Sequence, residues 1–405
     1  MSATPSPGRL AHVDGLRGFA LLGILVVNIT YLASAYHGTG LEDPGSDGVL
    51  SQGVRWVTAT LFETKFFLLF SFLFGYSFTL QIDSATRSGA RFGPRFLRRL
   101  AGLFVLGALH AVLLFPGDIL TLYALLGLVL LAVRDLAPRT AVRAAVTVLV
   151  VTALAYAALA LVVHQAGADG TIPAGTAERA AAATEALRGG PGEVIGAHLD
   201  QLPDVIFLLV FLQAPSAFAA FLVGLAVGRR RALADPGGLL PLLRRLQWAG
   251  FTVGLAGGLV YAHASLRHPE TAYQVFALGL DVLTAPLLAA AYGATVLRLL
   301  DSRRGRQVLG ALAPAGRMSL TNYLGQSLVC ALLFTGYGAG LVGRVAPAGV
   351  LAIALALFAV QLAVSRWWLR GHAYGPLEWL LRAWTVLCIP PWRRRTPQQE
   401  PVRTG

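Results

Sequence analysis

Long stretches of this chain carry no charge at all. No Asp, Glu, Lys or Arg interrupts Ala144–Val163, Val205–Gly228 or Val345–Ser365. As helices rising about 1.5 Å per residue, runs of this size cross a hydrocarbon core of about 30 Å. Inside lipid every backbone N–H and C=O needs a partner from the protein, and an α-helix supplies one within each run. Of the 405 residues 56% are hydrophobic and 13% charged, where a soluble domain carries about 25% charge. Mean hydropathy is +0.64. The pattern predicts an all-α, polytopic transmembrane helical bundle of about ten spans. These are Leu16–Ala35, Leu61–Ile82, Leu97–Phe115, Ile119–Val133, Ala141–Val163, Val205–Gly228, Leu246–Ala264, Tyr273–Leu297, Leu320–Tyr337 and Val350–Trp367.

The net charge of +13 comes almost wholly from arginine, since Lys65 is the sole lysine. The arginines cluster between alternate runs: Arg87–Arg99, Arg134–Arg143, Arg229–Arg245, Arg298–Arg317 and Arg393–Arg395. The other connections hold Glu42, Asp43, Asp47, Asp118 and Asp169. With ten spans all arginine groups share one side, which predicts that both termini are cytoplasmic. The expected partners of such a surface are membrane lipids, not nucleic acid. The first run lacks a small-residue cleavage site and reads as a retained helix. The predicted organisation is an N-terminal membrane half (1–163), an extracytoplasmic segment (164–204) with a short helix over Thr176–Leu187, and a C-terminal membrane half (205–392). That half ends in an interfacial helix, Leu377–Leu387, where Glu378 and Arg382 lie one turn apart. A basic cytoplasmic tail (393–405), polar from Pro397, closes the chain.

Ionisable groups at membrane depth are costly and are candidate functional residues. Asp14, Arg17 and Asn28 form one stripe on the first span, because eleven residues are close to three turns. Ser319, Asn322 and Gln326 make a polar face on the ninth span, opened by Arg317; stapling to neighbouring helices explains that face equally well. His110 and Asp118 meet at the mouth of the third-to-fourth hairpin as an oriented base or a satisfied core pair. Asp281 needs a partner, and Lys65 and His110 lie at similar depth; Glu63 and Lys65 could instead snorkel. His37 is a weaker candidate base. Cys330 and Cys388 have neither metal nor disulfide spacing, no metal motif is present, and there is no Walker A lysine.

The run Asp14-Gly15-Leu16-Arg17-Gly18 through Asn28 resembles the opening of the YeiB-like family of bacterial multi-pass membrane proteins. Phe70–Gly75, His110 with Gly117–Leu120 and Tyr123, Gly316–Tyr323 and Gly375–Arg382 resemble further motifs of that family, the last two in its C-terminal domain of unknown function. The resemblance implies a distant grouping with transmembrane acyltransferases, which move an acyl group from cytoplasmic acyl-CoA to an acceptor, often a sugar, across the membrane. One such family carries a histidine eleven residues after the arginine, where this chain has Asn28. An amide is no base at neutral pH, so the role passes to His110. On this expectation His110 and Asp118 are catalytic. Asp14, Arg17, Asn28, Arg317, Asn322 and Gln326 bind acyl-CoA, with Arg382 a further phosphate contact. The acceptor is a glycan or small molecule. The alternatives are a transporter or flippase using His110 and Asp281 as a proton relay, and a membrane protein without chemistry of its own.

Overall fold

A computed structural model describes residues 7–41, 48–167, 170, 172–234 and 237–393. Among them the chain is helical, with one isolated β-bridge between His372 and Arg393. In order come α1 (Pro7–Ala33), α2 (Val49–Leu61), α3 (Lys65–Arg87), α4 (Phe92–Leu113), α5 (Leu120–Ala132) and α6 (Pro138–Gln165). Then follow α7 (Thr176–Arg188), α8 (Pro191–Leu208), α9 (Ala214–Arg229), α10 (Leu240–Ala249) and α11 (Leu255–Arg267). The last are α12 (Ala272–Arg298), α13 (Arg303–Arg317), α14 (Ser319–Phe334), α15 (Pro347–Gly371) and α16 (Pro376–Val386). Eight helical stretches are long and apolar enough to cross a membrane, and two shorter apolar helices, α5 and α14, stand at the predicted fourth and ninth spans. Glu42, Asp43, Asp47, Asp169, Arg394, Arg395 and the tail from Pro397 lie outside the described residues.

Glycine sets the closest helix crossings. Gly75 of α3 stands against the Phe221 carbonyl of α9, and Gly224 against the Phe72 carbonyl, so a Cβ at either would strike backbone. Lipid gives two helices no hydrophobic reason to associate, and such approach lets dispersion and backbone contacts hold them. Gly18 and Gly316 do the same between α1 and α13, where each lies against the other helix's backbone. Leu21, Leu25, Ile29, Phe78, Phe96 and Phe334 fill the interior.

Three elements differ from the sequence expectation. The predicted second span, Leu61–Ile82, is α3 from Lys65 onward, and a further helix, α2, precedes it across a left-handed Thr64 with φ of 63°. A β-branched residue rarely adopts that conformation; here the Thr64 hydroxyl donates to Asp281 Oδ2 at 2.6 Å. The predicted sixth span starts earlier. Glu193 bonds the Gly190 N–H at 2.7 Å to start α8, which runs through Pro203 and a π-helical turn, Leu209–Gln213, into α9. Residues 204 and 205 are therefore helical, because Val194, Ala197 and His198 have buried faces to pack, and His198 meets the Val112 carbonyl of α4. Finally, the arginine-rich connection before the ninth span contains α13, whose Leu309 and Ala313 are buried and whose arginines face outward.

Candidate functional site

The turn Phe115-Pro116-Gly117-Asp118 folds α5 back along α4 and brings His110 to Asp118, Nδ1 to Oδ1 at 2.9 Å. The other carboxylate oxygen accepts the Thr121 N–H at 2.8 Å and caps the start of α5. Gly107 makes room, since a Cβ there would strike Asp118 Oδ2. Both side chains are buried. An ionised carboxylate only accepts, so the imidazole proton sits on Nδ1 and the Nε2 lone pair is left over. Among the described residues neither the buried His110 Nε2 nor the Tyr323 hydroxyl makes a hydrogen bond of normal geometry. The two rings lie 5.1 Å apart. Buried polar atoms are nearly always paired, so two orphans side by side mark a place where polar atoms of a ligand would bond.

Tyr323 also lines a narrow crevice of about 70 Å³ among α1, α3, α4, α5 and α14. Ile24, Phe70, Phe74 and Leu103 give it apolar walls; Ser319, Tyr123 and Arg99 are its polar members. Tyr123 is held by Ser71 at 2.6 Å and by the Phe67 carbonyl at 3.1 Å. Arg99 Nε is buried and unpartnered, and the side chain makes no hydrogen bond or ion pair among the described residues. It lies within electrostatic reach of Arg17 and Glu378. By sequence Arg99 reads only as one of the arginines that set topology. The available signal was its spacing: eleven residues before His110 on α4, hence the same face about 16 Å away.

The first-span stripe is partly assembled. Arg17 Nη1 meets Asp14 Oδ1 at 2.9 Å and Nη2 donates to the Ser77 hydroxyl. Arg317 is exposed, reaches the Ala373 carbonyl at 3.4 Å and acts on Asp14 through space. Asn28 is half-buried, one turn beyond Ile24, with no side-chain hydrogen bond among the described residues. The ninth-span face divides. Ser319 turns to the crevice, while Asn322 bonds Ser365 at 2.9 Å and Gln326 bonds Gln361 at 2.8 Å. Asn322 and Gln326 thus staple α14 to α15, and their amides are not available to line a channel. Glu378 does not pair with Arg382. It caps α14, accepting from Leu320 N at 2.7 Å and from the Thr321 hydroxyl at 2.6 Å. Burial raises its carboxyl above the ordinary carboxylate range, against the lowering effect of those bonds. Arg382 stacks over Tyr374 instead.

A second polar cluster is separate from the dyad's contacts. Lys65 is fully buried and pairs with Asp281 at 3.1 Å, so it does not snorkel. Its ammonium lies 5.0 Å from the Tyr261 ring centre. The Tyr261 hydroxyl donates to Glu63 at 2.9 Å, and Glu63 lies 3.7 Å from His37. Among the described residues no group of three or more His, Cys, Asp or Glu is placed to hold a metal ion.

The family described as "Protein of unknown function (DUF418)" matches residues 227–387. Over nearly their full lengths, three curated proteins are similar to the chain. The uncharacterized protein YxaH of Bacillus subtilis (strain 168) is 32% identical, covering 96% of this chain and 97% of its own. An uncharacterized 39.9 kDa protein in the amylase 3′ region of Bacillus acidopullulyticus is 29% identical, covering 93% and 94%. The uncharacterized protein YeiB of Escherichia coli (strain K12) is 28% identical, covering 95% and 98%. No solved structure matches the chain.

Proposed function

The chain belongs to the YeiB-like family, and from that premise we propose that it is an integral membrane acyltransferase, moving an acyl group from cytoplasmic acyl-CoA to a hydroxyl acceptor at the outer face. One observation carries the reading: the unpartnered His110 Nε2, oriented by Asp118, beside a crevice whose far polar member is an unpaired arginine. The acceptor O–H gives its proton to Nε2 as its oxygen attacks the thioester carbonyl. The C–S bond then breaks, and the thiolate takes the proton from the imidazolium. The Tyr323 hydroxyl would donate to the developing oxyanion. Arg99, Arg17 and Arg317 would meet the CoA phosphates with the arginine-rich end in the cytoplasm. The apolar walls match the pantetheine arm and the acyl chain in character, and the helices around the crevice would part to admit them. Asn28, on the crevice side of α1, would position that arm.

The test is thiol release and acyl transfer by purified protein in nanodiscs supplied with acyl-CoA. His110→Ala should lower the rate about 10²–10⁴-fold, compared below the variant's own unfolding temperature, which should fall because the buried Asp118 carboxylate loses its partner. No thiol release from wild type at any acyl length, or an unimpaired His110→Ala, would overturn the reading. The buried Lys65–Asp281 pair favours a second reading, a proton-coupled transporter. Uptake into vesicles with no covalent product would support it.

A further inference from the structure

Another feature lies at the arginine-rich end, away from the dyad. α10, the π-helical turn Gly250–Gly254 and α11 cross α12 tightly, with Gly250 against the Leu287 carbonyl and Gly254 against the Leu288 backbone. Beside the crossing an open groove of about 460 Å³ is lined by Arg244, Gln247, Trp248, Phe251 and Arg298. Arg298 Nη1 donates to Gln247 Oε1, and the Gln247 amide nitrogen donates to the Thr295 hydroxyl at 2.8 Å. These bonds hold the guanidinium in one orientation. Its Nε is buried and has no acceptor. Neither Arg298 nor Arg244 forms an ion pair among the described residues. Trp248 is 74% exposed and Phe251 43% exposed.

We infer that this groove is a binding site for the phosphate headgroup of an anionic phospholipid. Two guanidiniums without an ion-pair partner among the described residues supply the phosphate contacts, and the Arg298 Nε–H supplies a donor already desolvated. Basic pockets between membrane helices near the surface bind anionic headgroups in this manner. A free phosphate would have no use for the exposed aromatics. Trp248 and Phe251 stand where a lipid's glycerol and upper acyl chain pass, and an indole suits that boundary layer. The groove uses none of the residues assigned to acyl transfer.

The experiment is native mass spectrometry of the full chain in neutral detergent. The probes are phosphatidylglycerol, phosphatidylcholine and glycerol 3-phosphate. Phosphatidylglycerol should bind at least about tenfold more tightly than phosphatidylcholine. Arg244→Gln with Arg298→Gln should abolish that preference, Trp248→Ala should weaken phosphatidylglycerol binding, and glycerol 3-phosphate should not compete. Arg139→Gln, an exposed charge on α6, should bind as wild type. Equal binding of both lipids, or an unaffected double variant, overturns the site. An equal loss in Arg139→Gln also overturns it, in favour of bulk charge. Competition by glycerol 3-phosphate with Trp248→Ala silent replaces the lipid with a soluble phosphate. Should the double variant fail to fold, the exposed Arg244→Gln alone must still lower the preference.

Discussion

Lys65 has no access to water, and its charge is tolerable because Asp281 lies 3.1 Å away with Thr64 on the second carboxylate oxygen. Removing one partner of a buried ion pair leaves the other charge uncompensated. Lys65→Ala should therefore destabilise by about 3–5 kcal/mol, read as thermal unfolding in detergent. Lys65→Met combined with Asp281→Leu should recover most of that loss, because the penalty is the orphaned charge and not the missing attraction. At the dyad the determinant is a tautomer. Asp118→Asn can donate from its amide to Nδ1, which would move the imidazole proton to Nε2 and remove the base. Acyl transfer should fall about 10²–10⁴-fold with little change in unfolding temperature. A variant that keeps its rate would show that the carboxylate does not orient the ring. The His110–Asp118 contact was legible because hairpin closure brings residues eight apart together locally. The Tyr323 ring against His110 was not, since α14 lies two hundred residues on and nothing local selects its rotation.

Helix interfaces here are written in small residues. Gly75→Leu would place a branched side chain into the Phe221 carbonyl, and backbone cannot step aside as a flexible side chain can. Overpacking of this kind costs about 1–3 kcal/mol or more, and α3 should separate from α9, seen as lower unfolding temperature and greater protease sensitivity. Glycine-rich runs announced close packing from sequence, but not which helix would be met. The polar face of α14 shows the same limit. Periodicity put Ser319, Asn322 and Gln326 on one stripe, yet that stripe straddles two neighbours: the crevice takes Ser319 and α15 takes the two amides. The break before α3 was invisible because the contact of its left-handed threonine with Asp281 comes from far along the chain.

For the whole molecule, topology is the first quantity to test. Cys388 is exposed at the arginine-rich end and Cys330 is buried. A membrane-impermeant maleimide should therefore label Cys388 in inverted vesicles and not in intact cells, with Cys330 silent in both. Labelling from outside would invert the orientation and remove the route for cytoplasmic acyl-CoA. α16 also matters at this scale, because Trp384 bonds the Arg98 carbonyl at 2.8 Å and Leu381 packs over Gly102. α16 thus covers α4 beside Arg99.

From the sequence alone follow the helical class, the number and order of apolar runs and the distribution of arginine. Lipid leaves a run of apolar residues a single backbone solution, and that solution is closed within the run. Tertiary structure decided which polar atoms were satisfied and which were left over. Each submerged side chain can bond to any of several neighbours, and only the rotation and pairing of whole helices selects one. That selection spent Asn322 and Gln326 on stapling α14 to α15, joined Lys65 to Asp281, and left His110 Nε2 and Arg99 Nε without partners.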